Sequence, residues 1–228
     1  MGKLTDAANY VITRIKRRHR MMPVGNPVKV NFGSSLFVQE GWVNVEGSFH
    51  GFFANWPELF IRTLYRHSKA SQWFGSEQDY VTTLRTHTFV HHELDYGLPF
   101  PDNTVDYVYA SHILEHFFPD VAEFILRDAH RVLKKSGRIR ICVPDLEHVV
   151  NLYQAGKKRE ALYFFFRDSK AGKFYRHRYM YDFELLKAAL EKAGFNSVER
   201  LAYRQGRVPD IDKLDNRPEE TLYVEAVK

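Results

Sequence analysis

Short apolar segments that each stop at small, polar or proline residues constrain this chain's fold more than any other feature. Residues 28–32 run into Gly33, Ser34 and Ser35, and 42–45 into Glu46 and Gly47. Residues 88–94, 105–110 and 138–143 follow, the last stopped by Pro144. Runs of this kind, rich in Val, Ile, Phe and Tyr, read as strands. Between the last two, Val121, Phe124, Ile125, Ala129 and Val132 recur at helical spacing, with Pro119 and Asp120 at the start and Gly137 beyond the end. That predicts a crossover helix. The helical pattern returns over 182–193 and meets Gly194, and strands at 198–203 and 222–227 close the chain. Strands alternating with helices predict an α/β fold: a Rossmann-like, doubly wound, mainly parallel sheet with helices on both faces.

Such sheets bind ligands at the carboxyl ends of their strands. The stretch 92–116, HELDYGLPFPDNTVDYVYASHILEH, is where chemistry concentrates. It joins an acidic strand end, a Pro-rich turn, an apolar strand and two histidines four residues apart, a spacing that shares a face on a helical turn.

The rest of the chain divides into an N-terminal basic amphipathic helix, within an appended segment 1–27, and a core from 28 to 228. The helix is predicted over 6–20 from Ala7, Tyr10, Val11 and Ile15. Residues 48–86 carry Phe49, Phe52, Phe53, Trp56, Phe60, Tyr65, Trp73, Phe74 and Tyr80. This is too long for a structureless connection and predicts a helix from Pro57 and a lid or substrate wall, with most of the aromatics in the core.

The net charge of +5 is local. Arg14, Lys16, Arg17, Arg18 and Arg20 form one basic segment and 157–178 another. Each suits a solvated face or an anionic surface, phospholipid or phosphorylated acceptor. No zinc pattern, RNA-binding aromatic motif or long basic tract points to a specific nucleic acid. No apolar run approaches the roughly 20 residues of a membrane-spanning helix. The lone Cys142 cannot form an internal disulfide, and the cytoplasm is the expected compartment.

These motifs, in this order, resemble the class I S-adenosylmethionine-dependent methyltransferases, specifically the small type 11 group often encoded with polysaccharide biosynthesis genes. That group reads L-N-L-G-C-G, G-W-V-N-V-D, D-L-x-x-x-L-P-F-P-D-N-S-V-D, S-S-H-x-L-E-H and R-V-L-K-P-G-G-x-L-R-I-x-V-P-D. Here those places hold Val30 to Ser35, Gly41 to Glu46, Glu93 to Asp106, Ala110 to His116 and Arg131 to Asp145, within a resemblance spanning roughly 28–200. Ser35 stands where the group has a second glycine, and Glu46 and Glu93 stand where aspartates are usual.

The resemblance implies a class I methyltransferase fold and S-adenosylmethionine as cofactor. Glu46 would accept the ribose hydroxyls. Gly33, Ser34 and Ser35 would line the methionine and ribose, with Asn31 and Phe32 leading into that loop and Asn31 orienting it. Glu93, Leu94 and Asp95 would contact adenine, the register between the two carboxylates left open. Ser111 and His112 would stand where methyl donor and acceptor meet. Methyl transfer to oxygen needs alignment and removal of a proton, so His112 or His116 is the expected general base. The acceptor expected is a small molecule or glycan, with a sugar hydroxyl foremost. Asp145 and residues 174–181 are expected on the acceptor side.

Adjacent His91 and His92 point to opposite faces of a strand and make poor co-ligands. His112, Glu115 and His116 resemble a ligand trio, but no further ligand is evident in sequence, so no metal site is assigned; magnesium-assisted transfer would be its form. The alternative to an enzyme is a cofactor-deficient member acting as a binding or scaffolding module, motivated by Ser35. Nucleic-acid methylation is disfavoured because Val143-Pro144-Asp145 occurs in place of an N-P-P-Y or D-P-P-Y motif.

Overall fold

A computed structural model describes residues 2–72, 75–166 and 176–228. Its sheet has seven strands: β1 (Lys29–Phe32), β2 (Val43–Glu46), β3 (Thr88–His91), β4 (Val105–Ser111), β5 (Leu133–Pro144), β6 (Asn196–Leu201) and β7 (Thr221–Val227). Their order is β3-β2-β1-β4-β5-β7-β6, and β7 runs antiparallel to both neighbours. Val30 pairs with Val43 on one side and Val108 on the other. The order therefore reverses between β1 and β4, which opens a crevice at their carboxyl ends.

Alternation along the strands separates two unlike faces. Val30, Phe32, Val45, Val108, Ala110, Ile139, Ile141 and Val224 form the main core with α5 (Pro119–Val132) and α8 (Phe183–Lys192). The α5 stripe Ala122, Ile125, Leu126, Ala129 and Val132 is buried as its spacing predicts.

The opposite face carries helices at one end and an irregular cover in the middle. Residues 33–42 link β1 to β2 with no helix. At the β3 end that face is covered by α2 (Phe49–Phe53), α3 (Glu58–His67) and α4 (Glu77–Thr86), whose buried Ile61, Tyr80, Val81 and Leu84 pack toward Phe89. In the middle, the cover is the chain from 204 to 216 with the short α9 (Ile211–Leu214).

This irregular cover is held by charge. Arg140, fully buried, donates to Asp215 through Nε (2.9 Å) and Nη2 (2.5 Å), and to Glu225 through Nη1 (3.1 Å). The same carboxylates accept backbone N–H groups of Arg204, Arg207 and Val208. Buried charges are tolerated when paired and hydrogen-bonded on all sides, which these are.

The N-terminal helix, α1 (Gly2–Lys16), turns the opposite way from its apolar pattern. Tyr10, Val11 and Ile15 are exposed, while Thr13 is buried and Asn9 faces inward. Polar side chains that bond to the sheet edge thus outweigh a weak apolar stripe. Within 48–86 the aromatics divide: Tyr80 is buried and Trp56 and Phe60 are exposed, whereas Trp73 and Phe74 lie outside the described residues. After β5 come α6 (Leu146–Gln154) and α7 (Lys158–Phe165), which share the small core Val149, Ala161 and Met180. No helix among the described residues is long and apolar enough to cross a membrane.

Candidate active site

The carboxyl ends of β1, β2 and β3 gather the residues expected to hold the cofactor. Gly33 adopts φ +66°, and a Cβ there would lie 2.3 Å from Ile113 Cγ1. Only glycine lets this loop close on the turn after β4. Glu46 accepts the backbone N–H groups of Ser35 (2.7 Å) and Ser48 (2.9 Å), so its carboxylate is fixed at the mouth of the crevice. Ser35 itself adopts φ +48°. Serine therefore takes the left-handed conformation a glycine would enter freely, at a strain of about 1 kcal/mol, and the loop is kept.

Asn31 donates to the Phe37 carbonyl (3.0 Å), across the loop that follows β1. Phe32 and Leu94 have their side chains in the main core, so their side chains are not available to a ligand. Glu93 lies across Gly47, whose added Cβ would stand 2.7 Å from Oε2. Asp95 is exposed in a short 3₁₀ turn beyond it. Between the two carboxylates, Glu93 is the one inside the cleft.

Asn9 was not singled out in the sequence. Its Nδ2 donates to the Gly47 carbonyl (2.7 Å), and its Oδ1 stands 2.9 Å from His91 Nε2, which must then donate. Burial pushes the His91 and His92 imidazoles down to about 4. Both are neutral at pH 7 and serve as packed hydrogen-bonding groups.

The second half of the crevice lies at the ends of β4, β5 and β7. Ser111 is half-buried at the end of β4. His112 follows in the left-handed region at φ +52°, with its N–H bonded to the Cys142 carbonyl (2.8 Å). A non-glycine residue held in this region carries local backbone strain. Its Nε2 lies 3.2 Å from Thr221 Oγ1, and its Nδ1 lies 3.6 Å from Glu115 Oε1.

His112 and His116 are not on one α-helical turn. Residues 114–116 form a 3₁₀ turn, yet both rings reach the same carboxylate. Glu115 is fully buried, and His116 Nε2 (3.9 Å) and His177 Nε2 (4.0 Å) also stand against its Oε1. Burial alone would push the Glu115 carboxyl up; the surrounding imidazoles of His112, His116 and His177 outweigh it and hold it below the usual range. His116 Nδ1 lies 3.1 Å from the Arg176 carbonyl, an acceptor only, so that nitrogen carries the hydrogen.

Beside this cluster is a cavity of about 600 Å³, lined by His148, Arg159, Tyr163, His177, Arg217 and Glu220 among others. Asp145 is turned to structural work: it caps α6 through the Glu147 N–H (2.9 Å) and pairs with Arg200 (2.8 Å). Cys142 is buried and its thiol pushed up to about 12, which leaves it protonated and inert. Of the basic segments, Arg20 is used internally, donating to the Leu98 (2.8 Å) and Phe100 (3.1 Å) carbonyls, and Arg178 stacks 4.6 Å over Phe118. Residues 167–175, part of the second basic segment, lie outside the described residues.

Residues 52–141 match a family described as a methyltransferase domain. That stretch runs from α2 to the middle of β5; the glycine loop and Glu46 precede it. Among solved structures, the chain is similar to an SAM-dependent methyltransferase, described as a possible histamine N-methyltransferase, from Thermotoga maritima (16% identity, 97% of this chain and 96% of that one, TM-score 0.50). It is also similar to the S-adenosylmethionine-dependent methyltransferase SibL in its apo form (15% identity, 99% of this chain and 55% of that one, TM-score 0.50). An SAM-dependent methyltransferase from Archaeoglobus fulgidus aligns over 98% of this chain and 94% of its own at 18% identity, TM-score 0.49. At these identities the likeness is one of fold. The chain has the class I methyltransferase fold, and residues 52–141 are similar to a methyltransferase domain.

Proposed function

We propose that this protein is an S-adenosylmethionine-dependent O-methyltransferase whose acceptor is a sugar hydroxyl of a small molecule or glycan. One observation carries the reading: the Gly33–Ser35 loop, Glu46 and Glu93 line one side of the crevice, and Ile113, the neighbour of His112, closes against Gly33 from the other. Glu46 and Glu93 supply acceptors for a ribose diol and an exocyclic amine, and the loop closes without side-chain bulk. When bound, the cofactor supplies an electrophilic methyl group on a sulfonium.

His112 is the base. Its Nε2 faces Thr221, next to the cavity-lining Glu220, and would take the proton of an acceptor hydroxyl bound there. Glu115 behind Nδ1 stabilises the imidazolium so formed, the typical worth of such a base being about 10²- to 10⁴-fold. The cavity offers Arg159, Arg217, Glu220 and Tyr163, a mixture of donors, acceptors and an aromatic face that suits a polyhydroxylated ring better than an apolar acceptor. Resemblance to the polysaccharide-associated group supports the same acceptor class.

Calorimetric titration with S-adenosylhomocysteine tests the cofactor half. Micromolar binding by the wild type, weakened at least tenfold in Glu46→Ala, is expected; a folded wild type that does not bind would refute the enzyme reading. For the chemistry, His112→Asn should lower turnover of a methylated sugar acceptor by 10²-fold or more with S-adenosylhomocysteine affinity unchanged.

A further inference from the structure

The cluster around Glu115 is more than a support for the base. We infer that Glu115, His116 and His177 form a binding site for one divalent first-row transition-metal ion, with an open coordination position toward the adjoining cavity. One ligand atom from each of the three lies within 4.8 Å of the others. A tetrahedral ion with bonds of about 2.0–2.1 Å separates its ligands by about 3.3 Å, so shifts of up to about 0.9 Å in each side chain bring the set to bonding geometry.

Two features point to a cation and a third holds the cluster together. First, Glu115 is 1% exposed, and neither of its carboxylate oxygens has a hydrogen-bond partner. The imidazole nitrogens of His112, His116 and His177 stand 3.6–4.0 Å from Oε1, beyond hydrogen-bond distance, and a buried carboxylate so loosely paired is complemented by a metal ion. Second, His116 has its tautomer already chosen. Nδ1–H is bound to the Arg176 carbonyl, so the Nε2 lone pair is aimed at Glu115. Two lone-pair acceptors face each other there, and a backbone carbonyl behind the distal nitrogen is the support that metal-ligating histidines have. Third, the segment carrying His177 is tied in place: the Arg178 N–H donates to the Glu115 carbonyl at 2.7 Å.

Two imidazoles and one carboxylate suit zinc-like first-row ions better than magnesium, which prefers oxygen. Three protein ligands leave one position open, the arrangement of catalytic rather than structural sites. His177 also lines the 600 Å³ cavity, so the open position faces it. An acceptor hydroxyl bound there would be acidified; that consequence rests on the proposed methyl transfer, whereas the metal site does not.

The test uses chelator-treated full-length protein without a histidine tag, titrated with Co²⁺ and read by visible absorption, then competed with Zn²⁺. One equivalent of Co²⁺ should bind with micromolar affinity or better and give a spectrum of low-symmetry coordination. Glu115→Gln and His177→Asn should each weaken it at least tenfold, while His130→Asn, away from the cluster, should not. Near-ultraviolet circular dichroism checks that each variant is folded; if Glu115→Gln is not, His177→Asn and His116→Gln decide. Absence of one-equivalent binding by the wild type overturns the proposal, as does binding that persists unchanged in the folded variants. S-adenosylhomocysteine affinity measured on the same samples separates this failure from failure of the enzyme reading.

Discussion

Gly33→Ala probes the contact that joins the two halves of the crevice. The new Cβ would lie 2.3 Å from Ile113 Cγ1, 2.7 Å from Cβ and 2.8 Å from Cδ1. Three contacts this short cannot be relieved by a rotamer change alone, because one is with Ile113 Cβ, which moves only with the backbone. Two costs are separable. Holding alanine at φ +66° costs about 1 kcal/mol. Overpacking against Ile113 adds about 1–3 kcal/mol. Truncation by Ile113→Ala removes Cγ1 and Cδ1, the atoms at 2.3 and 2.8 Å, so Gly33→Ala should cost only about 1–2 kcal/mol in that background. A urea-unfolding double-mutant cycle should therefore return a favourable coupling of about 1–2 kcal/mol. Because Ile113 adjoins His112, Gly33→Ala alone should also depress turnover more than S-adenosylhomocysteine affinity. Additivity of the two substitutions to within about 0.5 kcal/mol would refute the contact as the link.

Three further outcomes follow from the packing. Arg140→Met leaves Asp215 and Glu225 buried without their cation and should cost about 3–5 kcal/mol in urea unfolding; a loss under 1 kcal/mol would mean the 204–216 cover is not held by this network. Acid should destabilise the fold through His91 and His92. Their folded values near 4 lie below the ordinary 6.5, so the unfolded chain takes up protons first, and stability present above pH 6.5 is lost as pH falls toward 4. At pH 5 this amounts to about 2 kcal/mol for each, checked by comparing the pH dependence of the wild type with His92→Gln, whose slope between pH 7 and 5 should be shallower. Ile15→Ser, on the exposed face of α1, should change stability by less than about 0.5 kcal/mol, whereas Asn9→Ala should lower it by about 1 kcal/mol through loss of its bonds to Gly47 and His91.

Much of the fold is legible in the chain because strand alternation and the α5 stripe are local and strong. Arg138-Ile139-Arg140-Ile141-Cys142-Val143 announces one apolar and one polar face, and the structure uses both. The glycine loop, Glu46, Glu93 and His112 each sit at or just beyond a strand end, as the sequence places them, because the parallel topology directs those ends to one edge. One inference from periodicity failed. The His112–His116 spacing predicts a shared helical face, but residues 114–116 form a 3₁₀ turn. Periodicity reports what a regular helix would present and says nothing of whether a turn is 3₁₀.

The sequence by itself determined the parallel sheet, its apolar face and the residues brought to the carboxyl edge, since these depend on patterns a few residues long. Only the tertiary structure decided what meets across long separations. Asn9 reaches His91, Asp215 neutralises Arg140, and the Arg176 carbonyl, 60 residues beyond His116, sets its tautomer while His177 completes the cluster on Glu115. No local pattern encodes such contacts, because a buried charge or an imidazole is stabilised by whichever donor the folded backbone carries to it, and that donor's identity is a property of the topology.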